Sequence, residues 1–440
     1  MHEVAGKLID EVAERALIRR LSWRLAPLLT LGFVVAQIDR ANTGIAALQM
    51  NHDAGLSSAE FGIGAGLFFV SYVIFEIPST IIQARVGGPR WLSRIMISWG
   101  IASAMMAFVA GPYSFYGVRL LIGAMEAGYF PGVMLYLAAF FPPRHRAATM
   151  ALFAVSIPLS SVIGSPVSSA LLSLQGVLGL HGWQWMFLTE GIPAVALGIA
   201  ILFLLPSNLS AVSWLSSDEK SWLAAQLSAE AVATRVPHSE LSRIMFNPYV
   251  LMLSLVFSGS VAVGQALSLW QPQIIKEFGL TNMQVGLANA LPYLVAAVAM
   301  LVWGRRSDRR RERLLHTVLP LGLSAVALAS VPFVHELWLF ILVLCLTQIG
   351  AYALKGPFLG MTSEWLAGPA AVVGFAQVNA LGNAAAFVTS TSIGLIREAT
   401  GSFQLALLPL MSIAALGCIG LVVMARRDAL QRHVVQSGTV

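Results

Sequence analysis

The chain has 440 residues, of which 57% are hydrophobic and only 11% are charged, and its formal net charge is +6. A soluble domain carries about 25% charged residues, so this composition excludes a water-soluble globular protein. It indicates an integral membrane protein with most of its surface in hydrocarbon.

Twelve apolar runs follow one another along the chain. Each is about 20 residues long, which is the length an α-helix needs to cross ~30 Å of hydrocarbon. They predict an all-α integral membrane protein with twelve transmembrane helices. In chain order, the predicted spans lie near 23–48, 61–84, 91–110, 114–141, 147–172, 186–205, 248–270, 284–304, 314–334, 337–361, 372–396 and 404–425.

The basic residues orient these spans, because Lys and Arg accumulate in cytoplasmic loops. The N-terminal segment, the loops after the even-numbered spans and the C-terminal tail together hold 22 of the 27 Lys and Arg residues. The opposite side holds only Lys276 and Arg397. Both termini are therefore predicted to be cytoplasmic. The positive net charge reflects this topology and does not indicate nucleic-acid binding.

The longest polar interval divides the spans into six and six. The predicted organisation is an N-terminal six-helix bundle with a cytoplasmic leading segment, a cytoplasmic linker, a C-terminal six-helix bundle and a cytoplasmic tail, over 1–205, 206–246, 247–425 and 426–440. Within the linker, SSDEKSWLAAQLSAEAVA predicts an amphipathic surface helix capped by Ser217. Two such bundles place a site between them near the membrane midplane.

Four charged residues of the predicted spans lie near the membrane midplane, where each costs roughly 2.5 to 3.5 kcal/mol by insertion scales. Asp39 and Arg40 are in the first span, and Arg119 and Glu126 are in the fourth. Arg119 and Glu126 are seven residues apart and so share one helix face. The four charges are a structural ion-pair cluster, or they form a site in which Arg40 binds a substrate carboxylate and a carboxyl group carries a proton.

Six stretches resemble a known family, the anion:cation symporter family of the major facilitator superfamily. They are DRANTGIA, FEIPSTIIQARVGGPRW, RLLIGAMEAGYFPG, GWQWMFLTEGIPA, WGRRSDRRRER and GFAQVNALGNAAAF, in the expected order on the expected spans. The resemblance runs from about Trp23 to about Met424. It implies the major facilitator fold and proton-coupled, in some relatives sodium-coupled, movement of small organic carboxylates.

The resemblance also implies roles for particular residues. Arg40 matches the substrate anchor and Glu126 the proton carrier, with Asp39 and Arg119 as a supporting pair. The other candidates for contact with substrate are polar span residues: Tyr72, Gln265, Lys355, Asn379 and Asn383. Such residues serve about as often in hydrogen bonds between helices. The seventh span departs from relatives, with Gln265 and Ala266 where an aromatic residue and a glycine are common.

Three further charges are open to interpretation. Lys355, in YALKGPF, lies where relatives usually carry no charge. It pairs with a second anionic group of the substrate, or its ammonium extends to the cytoplasmic face. Glu76 and Glu190 lie nearer the ends of their spans, and structural pairing is predicted for both.

The sequence predicts no cofactor and no metal site, because neither metal-ligand spacing nor a phosphate-binding GxxxxGK[ST] loop is present. It also offers no catalytic constellation for a membrane enzyme. The predicted function is proton-coupled symport of a small organic acid by a monomeric, multi-pass protein of the cell membrane, expected to be a bacterial inner membrane. A passive organic-anion facilitator and sodium coupling remain alternatives, and the lipid bilayer and the proton are the other predicted partners.

Overall fold

A computed structural model describes residues 11–231, 243–365 and 369–437 of the protein. Four ranges lie outside the described residues. They are 1–10 of the predicted leading segment, 232–242 of the predicted linker, 366–368, and 438–440 of the predicted tail. Within the described ranges the fold is helical and contains no strand. The prediction of an all-α membrane protein is confirmed.

The N-terminal half begins with a long helix that extends well beyond the predicted span on the cytoplasmic side. This helix has 43 residues and is about 64 Å long at 1.5 Å per residue, twice the hydrocarbon thickness. The helices of this half are α1 Glu11–Asp53, α2 Ser58–Val86, α3 Gly88–Met105, α4 Pro112–Glu126, α5 Tyr129–Ala138, α6 Pro143–Leu171 and α7 Gly182–Leu204.

The linker contains the helix α8 Ser217–Ala231. Its cap is Ser216 and not the predicted Ser217, because the Ser216 hydroxyl accepts a hydrogen bond from the Glu219 backbone N–H while the Glu219 carboxylate accepts one from Ser216 N–H. The Glu219 side chain also pairs with Arg20 of α1. The beginning of the linker helix is therefore docked on the N-terminal half.

The C-terminal half repeats the pattern of six spans. Its helices are α9 Pro248–Lys276, α10 Asn282–Arg310, α11 Leu314–Ser330, α12 Leu337–Ala353, α13 Lys355–Trp365, α14 Pro369–Thr400, α15 Phe403–Ala406 and α16 Leu408–Ser437. The last helix continues past the predicted span into the predicted tail.

Eleven helical stretches of the described residues are long and apolar enough to cross a membrane. The twelfth span is α14, whose 32 residues are also long enough but include Gln377, Asn379, Asn383 and a run of Thr and Ser that lower its mean hydropathy. It packs between α2 and α9. The protein therefore has the predicted twelve spans in two six-helix bundles.

The fourth and the tenth predicted spans are broken helices. The fourth consists of α4 and α5, separated at Ala127 and Gly128, and the tenth consists of α12 and α13, separated at Leu354. Gly128 has φ +88°, a left-handed conformation that glycine adopts without a Cβ penalty. The break follows Glu126 directly and ends α4 at that carboxyl group.

Candidate substrate and proton site

The shortest contact among the predicted site residues joins Arg40 of α1 to Glu126 of α4. Arg40 Nε and Nη2 each lie 2.7 Å from Glu126 Oε1. The Glu126 side chain is 2% exposed and that of Arg40 is 14% exposed. The second carboxylate oxygen, Glu126 Oε2, is buried and has no hydrogen-bond partner among the described residues. Arg40 therefore holds one oxygen of this carboxyl group and leaves the other unbound.

Aromatic rings support both arginines of the site. The Arg40 guanidinium lies 4.8 Å from the ring centroid of Tyr72 and 5.2 Å from that of Phe68. The Arg119 guanidinium lies 4.8 Å from the same Phe68 ring. Stacking of this kind is favourable for a guanidinium out of water. Phe68, which the sequence did not single out, thus contacts both cations.

Arg119 is 2% exposed and is held by neutral groups. It donates hydrogen bonds of 3.3 Å to Thr43 Oγ1 and to the Ala65 carbonyl oxygen. Its Nε has no hydrogen-bond partner among the described residues. The guanidinium therefore keeps an unused donor in the interior of the N-terminal half.

Asp39 lies on a different side of α1 from Arg40, because consecutive residues of an α-helix project about 100° apart. Its Oδ2 accepts a 2.6 Å hydrogen bond from Trp99 Nε1 of α3, and its Oδ1 accepts a long one from Asn42. Within the described residues it makes no ion pair with Arg119. The implied supporting pair is therefore not in direct contact in this structure.

Glu190 of α7 belongs to the same network as Asp39. Its two carboxylate oxygens accept hydrogen bonds from Asn42 Nδ2 at 2.8 Å and from Ser168 Oγ at 2.6 Å. The Asn42 amide thus bridges the carboxyl groups of Asp39 and Glu190. These contacts join α1, α6 and α7 inside one bundle, as expected for structural pairing.

A small cavity lies between the two halves beside Arg40. Its volume is about 10 Å³, enough for about one water molecule. Polar side chains from both bundles dominate its wall, which is formed by Gln37, Arg40, Ala41, Ile157, Ser160, Ser161, Gln265, Ser268 and Tyr352. The structure places the predicted residue Gln265 here. The serines and Gln37 were missed, although polar residues inside apolar runs were a visible signal.

The predicted asparagines of α14 have other partners. Asn379 Nδ2 donates a 2.9 Å hydrogen bond to Glu76 Oε1 of α2, and Asn383 Nδ2 donates to the Asn379 carbonyl oxygen one turn earlier. The first of these bonds joins the two halves on the cytoplasmic side of Arg40. Glu76 is therefore paired, as predicted for it.

On the outer side of the cavity the two halves are in close contact. Asn51 bonds to Gln273, Ala59 N–H to Glu398, Asn289 to Ser165, and Thr391 to the Gly62 carbonyl oxygen. A methyl group on Gly44 would lie only 2.4 Å from the Ser268 carbonyl oxygen. The structure is therefore closed toward the outside.

Comparisons with known proteins agree with this architecture. Residues 29–390 and 253–434 match the family model described as Major Facilitator Superfamily. The chain is 46% identical to a putative tartrate transporter of Agrobacterium vitis over 391 residues, which cover 89% of this chain and 90% of that protein. It is 38% identical to the putative metabolite transport protein NicT of Pseudomonas putida, with 92% and 93% covered.

Among solved structures, the crystal structure of a D-xylose-proton symporter matches with a TM-score of 0.72. The match covers 91% of this chain and 97% of that chain at 14% identity, and it supports the fold alone. The relatives are named as transporters, and this protein is a transporter and not an enzyme. Family model, relatives and fold together confirm the predicted resemblance: the chain belongs to the major facilitator superfamily.

Proposed function

We propose that the protein is a secondary active transporter that takes up a small organic carboxylate together with a proton by alternating access. The observation that carries this proposal is the buried Arg40–Glu126 pair, with Glu126 Oε2 unpartnered, beside a polar cavity between the two bundles. The Arg40 guanidinium, which can bind a substrate carboxylate, is thus in direct contact with the Glu126 carboxyl group, which can bind a proton.

The pair couples proton and substrate by competition for Arg40. While Glu126 is ionised, its carboxylate occupies the fork of the Arg40 guanidinium. A proton on Glu126 removes that negative charge and frees the fork for a bidentate contact with the substrate carboxylate. Substrate and proton then enter together, because each makes the binding of the other more favourable.

The remaining cavity wall supports recognition of substrate hydroxyl groups. Both bundles contribute hydrogen-bonding side chains to this wall, namely Ser160 and Ser161 of α6 and Gln265 and Ser268 of α9. The Ser160 and Ser268 hydroxyls already donate to the Ile157 and Gln265 carbonyl oxygens. A purely apolar acid would offer no donor to the oxygens of these hydroxyls and no partner to the Gln265 amide, which is costly in a dry site. The Agrobacterium vitis relative is named as a putative tartrate transporter, and tartrate is a hydroxylated acid. A hydroxy acid is therefore the substrate class we propose, with Tyr72, Asn379 and Asn383 as further contacts once the site opens.

The experiment is a thermal-shift screen of the purified protein followed by uptake into proteoliposomes. The panel contains tartrate, glycerate, succinate and benzoate, because a ligand at 100 times its Kd stabilises the folded state by ~2.7 kcal/mol. We expect stabilisation by the hydroxy acids, and accumulation only when an inward proton gradient is imposed. A protein that binds none of the carboxylates contradicts the proposal.

Two alternatives lead to different results in the same vesicles. A passive facilitator equilibrates the substrate and ignores the proton gradient. A sodium-coupled transporter accumulates it in sodium and fails to do so when choline replaces sodium. We place the coupling on the proton because the carboxyl group of Glu126 has one oxygen free to take it.

A further inference from the structure

Lys355 begins α13, directly after the break in the tenth span. Its ammonium lies 4.2 Å from the ring centroid of Tyr352, one turn earlier in the chain. Tyr352 is 4% exposed and lines the cavity that Arg40 also lines. The positive charge of Lys355 is therefore held against Tyr352, a residue of the cavity wall in the C-terminal half, although Lys355 itself does not line the cavity.

The direction of this side chain decides between the two interpretations of Lys355. The tenth span runs from the outer side to the cytoplasm, so a lysine that extends to the cytoplasmic face would point forward along the chain. The ammonium instead lies back over Tyr352, toward the membrane midplane. At about 1.5 Å per residue, Tyr352 is about 22 Å below the outer start of α12, and Arg40 about 20 Å below the outer end of α1. The Lys355 ammonium is therefore close in depth to the Arg40 guanidinium.

The charge of Lys355 has no carboxylate partner among the described residues. A Tyr ring attracts the ammonium but does not neutralise it. A cation inside a membrane bundle is retained when it pairs with an anion or lines a substrate path. Arg40, on the opposite wall, already has Glu126 as its partner. Lys355 is therefore a cation beside the cavity that has no ion-pair partner of its own among the described residues.

We propose that Lys355 is a second anion-binding residue and that the transported substrate is a dicarboxylate. One carboxylate binds Arg40 in the N-terminal half, and the other binds Lys355 in the C-terminal half. Such a ligand connects the two bundles by two charge-assisted contacts, whereas a monocarboxylate is held firmly by one bundle only. This inference rests on the proposed function, since it assumes that Arg40 binds the first carboxylate.

The test compares substrates that differ in one carboxylate. Tartrate and glycerate both carry hydroxyl groups, but tartrate has two carboxylates and glycerate has one. Their Kd values are measured by calorimetry for the parent, Lys355→Met and Lys355→Arg, and each variant is first checked for monodisperse elution and an unchanged melting temperature. We expect the parent to prefer tartrate by at least tenfold. Lys355→Met should lose at least tenfold in tartrate affinity and less than twofold in glycerate affinity, and Lys355→Arg should recover most of the loss.

Two results overturn the second anion site but leave carboxylate transport intact. One is an equal effect of Lys355→Met on the affinities for both acids, and the other is a parent that does not prefer tartrate. If Lys355→Met does not fold, Lys355→Gln replaces it under the same criteria. A parent that binds neither acid, nor any other mono- or dicarboxylate of the panel, overturns the proposed function together with this inference. The pattern of binding across the panel thus distinguishes the two failures.

Discussion

The interactions of Arg40 depend on its charge, on the planar shape of its guanidinium and on its position beside the cavity. Its guanidinium stacks on Tyr72, donates from Nε and Nη2 to Glu126, and borders the cavity between the bundles. An ammonium has the same charge but lacks the planar fork and stacks less well on aromatic rings. We therefore expect substrate binding to depend on the geometry of the guanidinium and not on its charge alone.

Replacing Arg40 by Lys keeps the charge and removes the fork. We expect at least a tenfold loss of substrate affinity, equivalent to about 1.4 kcal/mol, and loss of uptake. Binding is measured by calorimetry and uptake in proteoliposomes. Arg24→Lys serves as a control, because Arg24 stacks on Trp214 of the linker away from the cavity, and this variant should bind substrate as the parent does. Equal affinity of the parent and Arg40→Lys would remove Arg40 from the binding site.

We expect the coupling proton to bind to Glu126. Glu126→Gln imitates the protonated carboxyl group and changes its shape little. The variant should bind substrate and exchange labelled for unlabelled substrate, because neither process requires net proton release. It should not accumulate substrate under a pH gradient.

Counterflow and gradient-driven uptake are measured in parallel for this variant and for Asp39→Asn. Asp39 contacts Trp99 and Asn42 on another side of α1, so its substitution is expected to affect coupling less. If Glu126→Gln accumulates substrate as the parent does, the coupling acid lies elsewhere, and Asp39 becomes the first candidate.

At the scale of helices, the break between α4 and α5 positions Glu126. A continuous helix would carry the chain past this carboxyl group without a change in direction. Gly128 permits the break by its left-handed backbone, and a Cβ there would lie 2.3 Å from Ser79 Oγ of α2. The fourth span can therefore approach α2 closely at the depth of the site.

Gly128→Ala tests this arrangement. The left-handed conformation costs a non-glycine residue about 1 to 2 kcal/mol, and the contact with Ser79 adds to that cost. We expect a lower melting temperature and weaker substrate binding. Gly176→Ala is the matched control, because Gly176 has φ +86° but a Cβ there would meet no atom within 4 Å. A similar loss of binding in both variants would show that the effect is not specific to the break.

At the scale of the whole molecule, the contacts between the bundles are unequal on the two sides of the site. Hydrogen bonds and a close glycine contact seal the outer side, whereas the cytoplasmic side of Arg40 has the Glu76–Asn379 hydrogen bond between α2 and α14. If the bundles rock as proposed, opening toward the cytoplasm has to break this bond. We therefore expect Glu76 and Asn379 to act as a latch between the halves.

Asn379→Leu removes the donor of the latch. In a background with Cys345→Ser and Cys418→Ser, a reporter cysteine at Ser161 should react about tenfold faster with a thiol reagent added from the cytoplasmic side. Glu76→Leu should have the same effect, and the double variant should add little to either, as expected for two residues of one contact. Gln273→Leu, which removes a bond on the outer side, is the control and should not raise the cytoplasmic rate. Additive effects of Asn379→Leu and Glu76→Leu would contradict the latch.

The sequence by itself determined the membrane class, the twelve spans, their orientation and the family, because hydropathy and the distribution of Lys and Arg are local properties of the chain. It also predicted Arg40 and Glu126 as site residues. Only the tertiary structure decided that Arg40 pairs with Glu126, 86 positions away, while Asp39 turns to Trp99. The tertiary structure alone also places the Lys355 ammonium over Tyr352, and it alone shows that Gln37, Ser160 and Ser161 line the cavity. Such partners depend on which helix faces meet, and these faces belong to spans that are distant in the chain.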